Sequence, residues 1–153
     1  MDLAGLEEFV VRAKTRTWVG AAESRGSSRP GSTDLTFADA EYGYLDSYVG
    51  GTDFIGQELV TYDGVPVWAM NYYGYLLRPD LIDGAGLSAV VREALTAMYA
   101  QGRFLGGWRH VASAGVYEDE STGDVTRFFG RERVLVGGDV AYELSYHGGL
   151  ARP

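Results

Sequence analysis

The segment FIGQELVTYDGVPVWAMNYY, residues 54–73, decides the fold. At its centre, Asp63-Gly64 separates two runs rich in β-branched and aromatic residues. An Asp-Gly pair in that setting is the strongest short-range signal for a β-hairpin. The segment therefore predicts one strand over Phe54–Tyr62 and an antiparallel partner strand over Val65–Tyr73.

Outward from this hairpin, the same kinds of pattern predict the remaining elements. Further strands are expected over Leu35–Ala38, Tyr42–Val49, Val111–Tyr117, Val125–Val136 and Val140–Tyr146. Apolar residues at helical spacing predict a helix over Asp2–Thr17 and a central helix around Leu87–Met98. This order favours an α+β fold, a mainly antiparallel sheet of about six strands with both helices packed on it. We expect an acidic turn over Glu118–Asp124, a long loop before the first strand, and no internal repeat.

Length and composition bound the class of protein. A chain of 153 residues without cysteine fits a single domain, residues 1–153, with neither disulfides nor thiolate metal sites. Its amino terminus has acids where a signal peptide needs a basic head. No apolar run approaches the roughly 18 residues of a membrane span, so we expect a cytoplasmic protein that binds no membrane. The net charge of −8 argues against nucleic acid as a partner.

The end of the Val65–Tyr73 strand contains residues that we expect to form a ligand site. Because side chains alternate along a strand, Asn71 and Tyr73 should face one side and Trp68 and Tyr72 the other. An amide and a phenol at the end of an apolar strand are typical of groups that orient a ligand, and the other two rings are suited to stacking on it. The alternative is a core strand in which each polar group has a structural partner.

His147 is the candidate for moving a proton. It ends the last predicted strand, and Gly148-Gly149 after it lets a ligand come close. Since imidazole titrates near neutral pH, we predict a catalytic set of His147, Tyr73 and Asn71. A satisfied structural histidine is the alternative.

Charged residues complete the predicted site. Pro30 holds Arg29 in an extended backbone, which presents its guanidinium to a ligand carboxylate or to Asp46 or Glu58. Asp46 and Glu58 are themselves paired carboxylates on neighbouring predicted strands. The predicted ligand-binding residues are Arg29, Trp68, Tyr72, Glu58 and Asp46. The sequence has neither a His-x-x-x-His spacing nor a Gly-rich phosphate loop, so no metal and no cofactor are expected.

Several of these motifs together resemble a family of small bacterial domains catalogued as a domain of unknown function. The motifs are Ser28-Arg29-Pro30-Gly31-Ser32, Trp68-Ala69-Met70-Asn71-Tyr72-Tyr73-Gly74 and His147-Gly148-Gly149. Thr33 stands where relatives often have histidine. Members of that family occur alone or fused to helix-turn-helix regulators of the repressor type. The resemblance implies a fold and a candidate site, with no established reaction.

Two functions from different classes fit these observations, and a plain structural or dimerising domain is a third possibility. The first is a small-molecule-binding domain that performs cofactor-independent acid–base chemistry, of isomerase, cyclase or hydrolase type. The second is a ligand-sensing or protein-interaction module without catalysis. The sequence does not decide whether the protein is an enzyme, and a homodimer is compatible with both.

Overall fold

The structure is a computed structural model that describes residues 1–22, 24 and 26–152. Within these residues it has two helices and eight strands. Their bounds are α1 Leu3–Arg16, β1 Thr33–Asp39, β2 Tyr42–Gly50, β3 Phe54–Tyr62, β4 Val65–Leu76, α2 Gly84–Tyr99, β5 Trp108–Ala112, β6 Gly115–Asp124, β7 Arg127–Val136 and β8 Asp139–Leu150.

Both helices begin at a capping aspartate. The Asp2 carboxylate accepts a hydrogen bond from the Gly5 amide at 2.8 Å, and the Asp83 carboxylate accepts one from the Gly86 amide at 2.7 Å. Such caps satisfy amides that have no partner within the helix. Each helix buries one apolar stripe, which confirms the two predicted amphipathic helices. Neither of these helices is long and apolar enough to cross a membrane.

The strands in the described residues form one antiparallel sheet in the order β1-β2-β3-β4-β8-β7-β6-β5. Both helices pack on one face, called the inner face below, and the opposite outer face is open to solvent. Ile55, Tyr73 and Phe129 on the outer face are each about half exposed or more. The predicted α+β class with an antiparallel sheet is confirmed, but the sheet has eight strands and not about six.

The sequence predicted seven strand segments, and the eighth strand arises in the C-terminal half. There, β5 and β6 form a hairpin, where the sequence predicted one strand over Val111–Tyr117 and an acidic turn over Glu118–Asp124. The predicted turn was wrong because Asp119 is a buried strand residue on the inner face, where it accepts a hydrogen bond from Tyr146. The run of acidic residues from Glu118 to Asp124 is typical of an exposed turn, and the sequence does not show that Tyr146 is the partner of Asp119.

The sheet consists of two similar halves. One unit contains α1 and β1–β4, the other contains α2 and β5–β8, and the two units meet where β4 pairs with β8. Each unit has a register shift between its third and fourth strands, after Val60 in the first unit and after Val134 in the second. The expectation of no internal repeat was therefore wrong.

The repeat is visible in the sequence once the strands are aligned. Matching inner-face positions are Tyr44 and Tyr117, Asp46 and Asp119, Gly56 and Gly130, Glu58 and Glu132, Val60 and Val134, Tyr72 and Tyr146, and Gly74 and Gly148. Outer-face positions match far less well. The two halves are therefore alike mainly on their inner faces.

Candidate functional site

The inner face of the sheet and the two helices enclose a cavity of about 320 Å³. Gly51, Thr52 and Ser88 line it and are exposed, so the cavity opens to solvent between the β2–β3 turn and the first turns of α2. The charged and phenolic side chains that line it are Lys14, Asp46, Tyr48, Tyr72, Tyr99, Tyr117, Asp119, Glu132, Tyr142 and Tyr146. The size is at the lower end of the range for small-molecule sites, roughly 300–1,000 Å³.

In the first unit, two carboxylates lie side by side on neighbouring strands. Asp46 and Glu58 are direct partners in the register of β2 and β3, and both are buried. The Tyr72 hydroxyl donates to Asp46 Oδ1 at 2.5 Å, and Lys14 Nζ lies 2.6 Å from Glu58 Oε1. Because Lys14 is buried too, its ammonium group balances part of the negative charge of this pair.

The second unit repeats the acids without the lysine. Asp119 and Glu132 are direct partners in the register of β6 and β7, and the Tyr146 hydroxyl donates to Asp119 Oδ1 at 2.6 Å. The other carboxylate oxygen of Asp119 and the Tyr117 hydroxyl are buried and have no hydrogen-bond partner among the described residues, as is also true of Glu58 Oε2 in the first unit. This end of the cavity therefore has unused hydrogen-bonding capacity.

Two glycines allow the tyrosines to reach these aspartates. Tyr72 and Tyr146 are direct partners in the register of β4 and β8. Each ring lies over a glycine of the neighbouring strand in its own unit, Gly56 beneath Tyr72 and Gly130 beneath Tyr146. A Cβ at either glycine would overlap the ring, so the close approach requires glycine at both positions.

Burial raises the pKa of the cavity carboxyls. Desolvation and the nearby charge of Glu58 raise the pKa of Asp46 to about 7. Desolvation raises the pKa of Asp119 to about 6, and desolvation together with the charge of Asp119 raises the pKa of Glu132 to about 8. Carboxyls of this kind are suited to acid–base chemistry or to binding a cation. No group of three or more potential metal ligands occurs in the described part of the chain.

Of the residues predicted to bind a ligand, Asp46 and Tyr72 line the cavity. Glu58 lies beside Asp46 and forms the ion pair with the buried lysine. Trp68 does not line the cavity: it is fully buried, donates from Nε1 to the Val125 carbonyl at 3.0 Å and stacks on Phe128. The indole thus has structural partners.

The residues predicted as catalytic lie together on the outer face. Asn71 and His147 are direct partners in β4 and β8, with Asn71 Nδ2 and His147 Nε2 3.5 Å apart. Gln57 donates to Asn71 Oδ1 at 2.8 Å, and Tyr73 lies on the same face with 48% of its surface exposed. The predicted alternation along β4 is confirmed, so the sheet separates this cluster from the cavity.

Arg29 does not line the cavity either. Its Nη2 donates to the Ser47 carbonyl at 2.5 Å, and among the described residues it forms no hydrogen bond or ion pair with Asp46 or Glu58. Asp34 fixes the surrounding loop to the sheet by accepting from the Ser28 amide and from the hydroxyls of Ser32 and Ser47. Although burial opposes ionisation, these hydrogen bonds together lower the pKa of Asp34 to about 2.

The sequence also contained signals for cavity residues that were not predicted. Lys14 falls on the apolar stripe of α1, four residues after Val10, where a solvated lysine is not expected. Tyr-x-Asp occurs at residues 44–46 and again at residues 117–119, and Gly-x-Glu-x-Val occurs at residues 56–60 and 130–134. Aligning these two motifs would have indicated Asp119 and Glu132.

The fold and the cavity define a class of protein, an α+β domain of two αββββ units that enclose an aromatic, acidic cavity. The chain belongs to the family described as a domain of unknown function (DUF5680), which matches residues 46–151. The matched segment contains Asp46, Asp119 and Glu132 and begins after Lys14. No curated protein and no solved structure gave a significant match to the chain.

Proposed function

We propose that this domain binds a small molecule in the cavity between the inner face of the sheet and the two helices. The main support is two buried polar groups that line the cavity and have no hydrogen-bond partner among the described residues, the second carboxylate oxygen of Asp119 and the Tyr117 hydroxyl. Leaving a buried polar group unpaired costs about 1–3 kcal/mol. A ligand that supplies the missing hydrogen bonds removes this cost and stabilises the folded protein.

Thermal unfolding and calorimetric titration with a panel of metabolites test the proposal. A ligand at about a hundredfold excess over its Kd adds about 2.7 kcal/mol of stability, which raises the Tm of a chain of this length by roughly 5–10 °C. Such a shift is large enough to detect for a ligand of modest affinity.

The mouth of the cavity provides a matched pair of variants. Ser88→Trp places a large ring at an exposed position that lines the opening, so we expect it to abolish binding. Ala89→Trp changes the next exposed residue of α2, which does not line the cavity, and should leave binding intact. A panel without any stabilising ligand, or binding that survives Ser88→Trp, would reject the cavity as the site.

A second candidate function is acid–base catalysis in the same cavity. It is favoured by Asp46 and Asp119, whose pKa values are raised to about 7 and about 6 and whose side chains are each held by a tyrosine. General acids and bases are most effective when the pKa lies near the working pH. Turnover should then follow a pH profile that loses one limb in Asp119→Asn. A bound ligand recovered chemically unchanged would favour binding without catalysis.

Binding without turnover would make the domain a sensor. This use is supported by the resemblance to domains fused to helix-turn-helix regulators, in which ligand binding would be transmitted to a separate DNA-binding segment. With a net charge of −8, we expect this domain itself to bind no nucleic acid. We propose that it acts in the cytoplasm.

A further inference from the structure

We infer that the ligand is an amine whose ammonium group binds between Asp119 and Glu132. This inference rests on the proposed function and specifies the chemical class of the ligand. Its main support is internal to the protein, because the first unit contains the same arrangement with the ammonium group of Lys14 in place.

Lys14 and Leu95 lie at matching positions in the two helices. Counted from the capping residues Asp2 and Asp83, Lys14 in α1 and Leu95 in α2 occupy the same place. In the first unit the lysine lies 2.6 Å from Glu58. In the second unit leucine lines the cavity together with the matching acid, so no ammonium group among the described residues occupies the place that corresponds to that of Lys14.

The charges that line the cavity favour a cationic ligand. Asp46, Asp119 and Glu132 line it, and Lys14 is the one basic side chain among the described residues that do so. Lys14 is already paired with Glu58. An anionic ligand would meet no free basic side chain here, whereas an ammonium group favours the ionised form of the neighbouring acids and is attracted to it.

The hydrogen-bonding groups at this end match the needs of an ammonium group. Asp119 is only 5% exposed and has one carboxylate oxygen without a partner, and Tyr117 is fully buried with an unpaired hydroxyl. Glu132 lies directly beside Asp119 on the next strand. An ammonium group has three N–H donors, which these three acceptors can satisfy.

The rest of the cavity wall indicates which group the amine should have attached to its ammonium nitrogen. Aromatic side chains line this wall, among them Phe54, Tyr99, Phe104, Tyr142 and Tyr146. Rings of this kind attract cations through their faces, and Lys14 Nζ already lies 5.6 Å from the centroid of the Phe104 ring. An amine with a compact aromatic or aliphatic body fits both the wall and the volume.

Three probes of similar shape and different charge test the inference. Phenethylamine is a cation at neutral pH, phenethyl alcohol is its neutral counterpart, and hydrocinnamate is an anion. In calorimetric titration of the full chain we expect the amine to bind at least tenfold more tightly than the alcohol, and the anion to bind least. Charge-assisted hydrogen bonds to buried acids provide that preference.

Two variants locate the ammonium group. Glu132→Gln keeps the shape of the side chain and removes its charge, so it should weaken amine binding at least tenfold while changing alcohol binding little. Leu95→Lys supplies the second unit with its own ammonium group and should abolish amine binding. Leu95→Met is the control, since it adds a chain of similar length without charge and should retain amine binding.

The outcomes separate this inference from the proposed function. Alcohol or anion binding that equals amine binding, or amine binding that survives Glu132→Gln unchanged, overturns the inference and leaves the cavity as a general ligand site. Absence of binding for all three probes also overturns it. The metabolite panel with Ser88→Trp and Ala89→Trp then decides independently whether the cavity binds any ligand.

Discussion

Replacing Lys14 by methionine tests how much the buried Lys14–Glu58 ion pair stabilises the first unit. Methionine keeps the length of the side chain and removes the ammonium group, so Glu58 loses its partner at 2.6 Å. Both side chains are more than nine-tenths buried. Removing one partner of a buried ion pair typically lowers the free energy of unfolding by about 3–5 kcal/mol. The loss for an exposed pair is much smaller.

The second unit provides an independent estimate of this loss. Glu132 occupies the matching position without a lysine in its own unit, and desolvation with the charge of Asp119 raises its pKa from 4.5 to about 8 although the charge of Lys14 opposes the rise. A glutamate in that state takes up a proton on folding at pH 7. At about 1.4 kcal/mol per pH unit above the ordinary pKa, the cost is about 3 kcal/mol. We therefore expect Lys14→Met to lose about 3 kcal/mol of unfolding free energy at pH 7.

The loss should depend on pH in a defined direction. An acid whose pKa is raised by folding costs nothing below its ordinary pKa, and its cost grows as pH rises until the raised pKa is reached. The difference between wild type and Lys14→Met, measured by urea unfolding, should thus be small near pH 4.5 and complete near pH 8. Arg12→Met is the matched control on α1, because the Arg12–Asp39 pair is about half exposed and contributes within about 1 kcal/mol. A pH-independent loss, or one no larger than in Arg12→Met, would refute the reasoning.

Three further predictions concern other parts of the sheet and cavity. Gly130→Ala places a Cβ where the Tyr146 ring lies and should lower the free energy of unfolding, measured with urea, by about 1–3 kcal/mol. Gly51→Ala is the control, because a Cβ there meets open space and should change the free energy of unfolding by less than about 0.5 kcal/mol. Affinity for phenethylamine should rise with pH and level off above about 8, because the cation favours the ionised form of Glu132; a flat calorimetric profile between pH 6 and pH 8 would contradict this. His147→Ala should leave phenethylamine affinity unchanged, since His147 is exposed on the outer face, and a loss of affinity would disprove the independence of the two faces.

Elements fixed by local chemistry could be predicted from the sequence. The Asp63-Gly64 turn predicted β3 with its observed bounds and placed the start of β4 correctly, because turn geometry sets the register of a two-residue hairpin. The helical spacing of apolar residues likewise predicted α1 to within one residue at each end, Asp2–Thr17 against the observed Leu3–Arg16. In each case the partner groups are within a few residues of one another along the chain.

The candidate site depended on long-range pairing, which local patterns do not contain. Pairing of β4 with β8 brings Tyr72 beside Tyr146 across a long stretch of sequence. The sequence also predicted which β4 residues share a face, but not which face the helices would cover. Asn71 and His147 do lie next to each other, yet both helices pack on the opposite side of the sheet.

The internal repeat permits a stricter test of what makes the second acid pair a binding site. If the site exists because leucine replaces lysine, exchanging the two residues should move it. In the double variant Lys14→Leu/Leu95→Lys, the introduced ammonium group would lie in the second unit and Glu58 would lose its partner. Phenethylamine should then still bind with one site per chain. Its affinity should fall at least tenfold on adding Glu58→Gln and stay unchanged on adding Glu132→Gln, the reverse of the single-variant result. Calorimetry that shows unchanged dependence on Glu132 would mean that some other feature of the second unit selects the ligand.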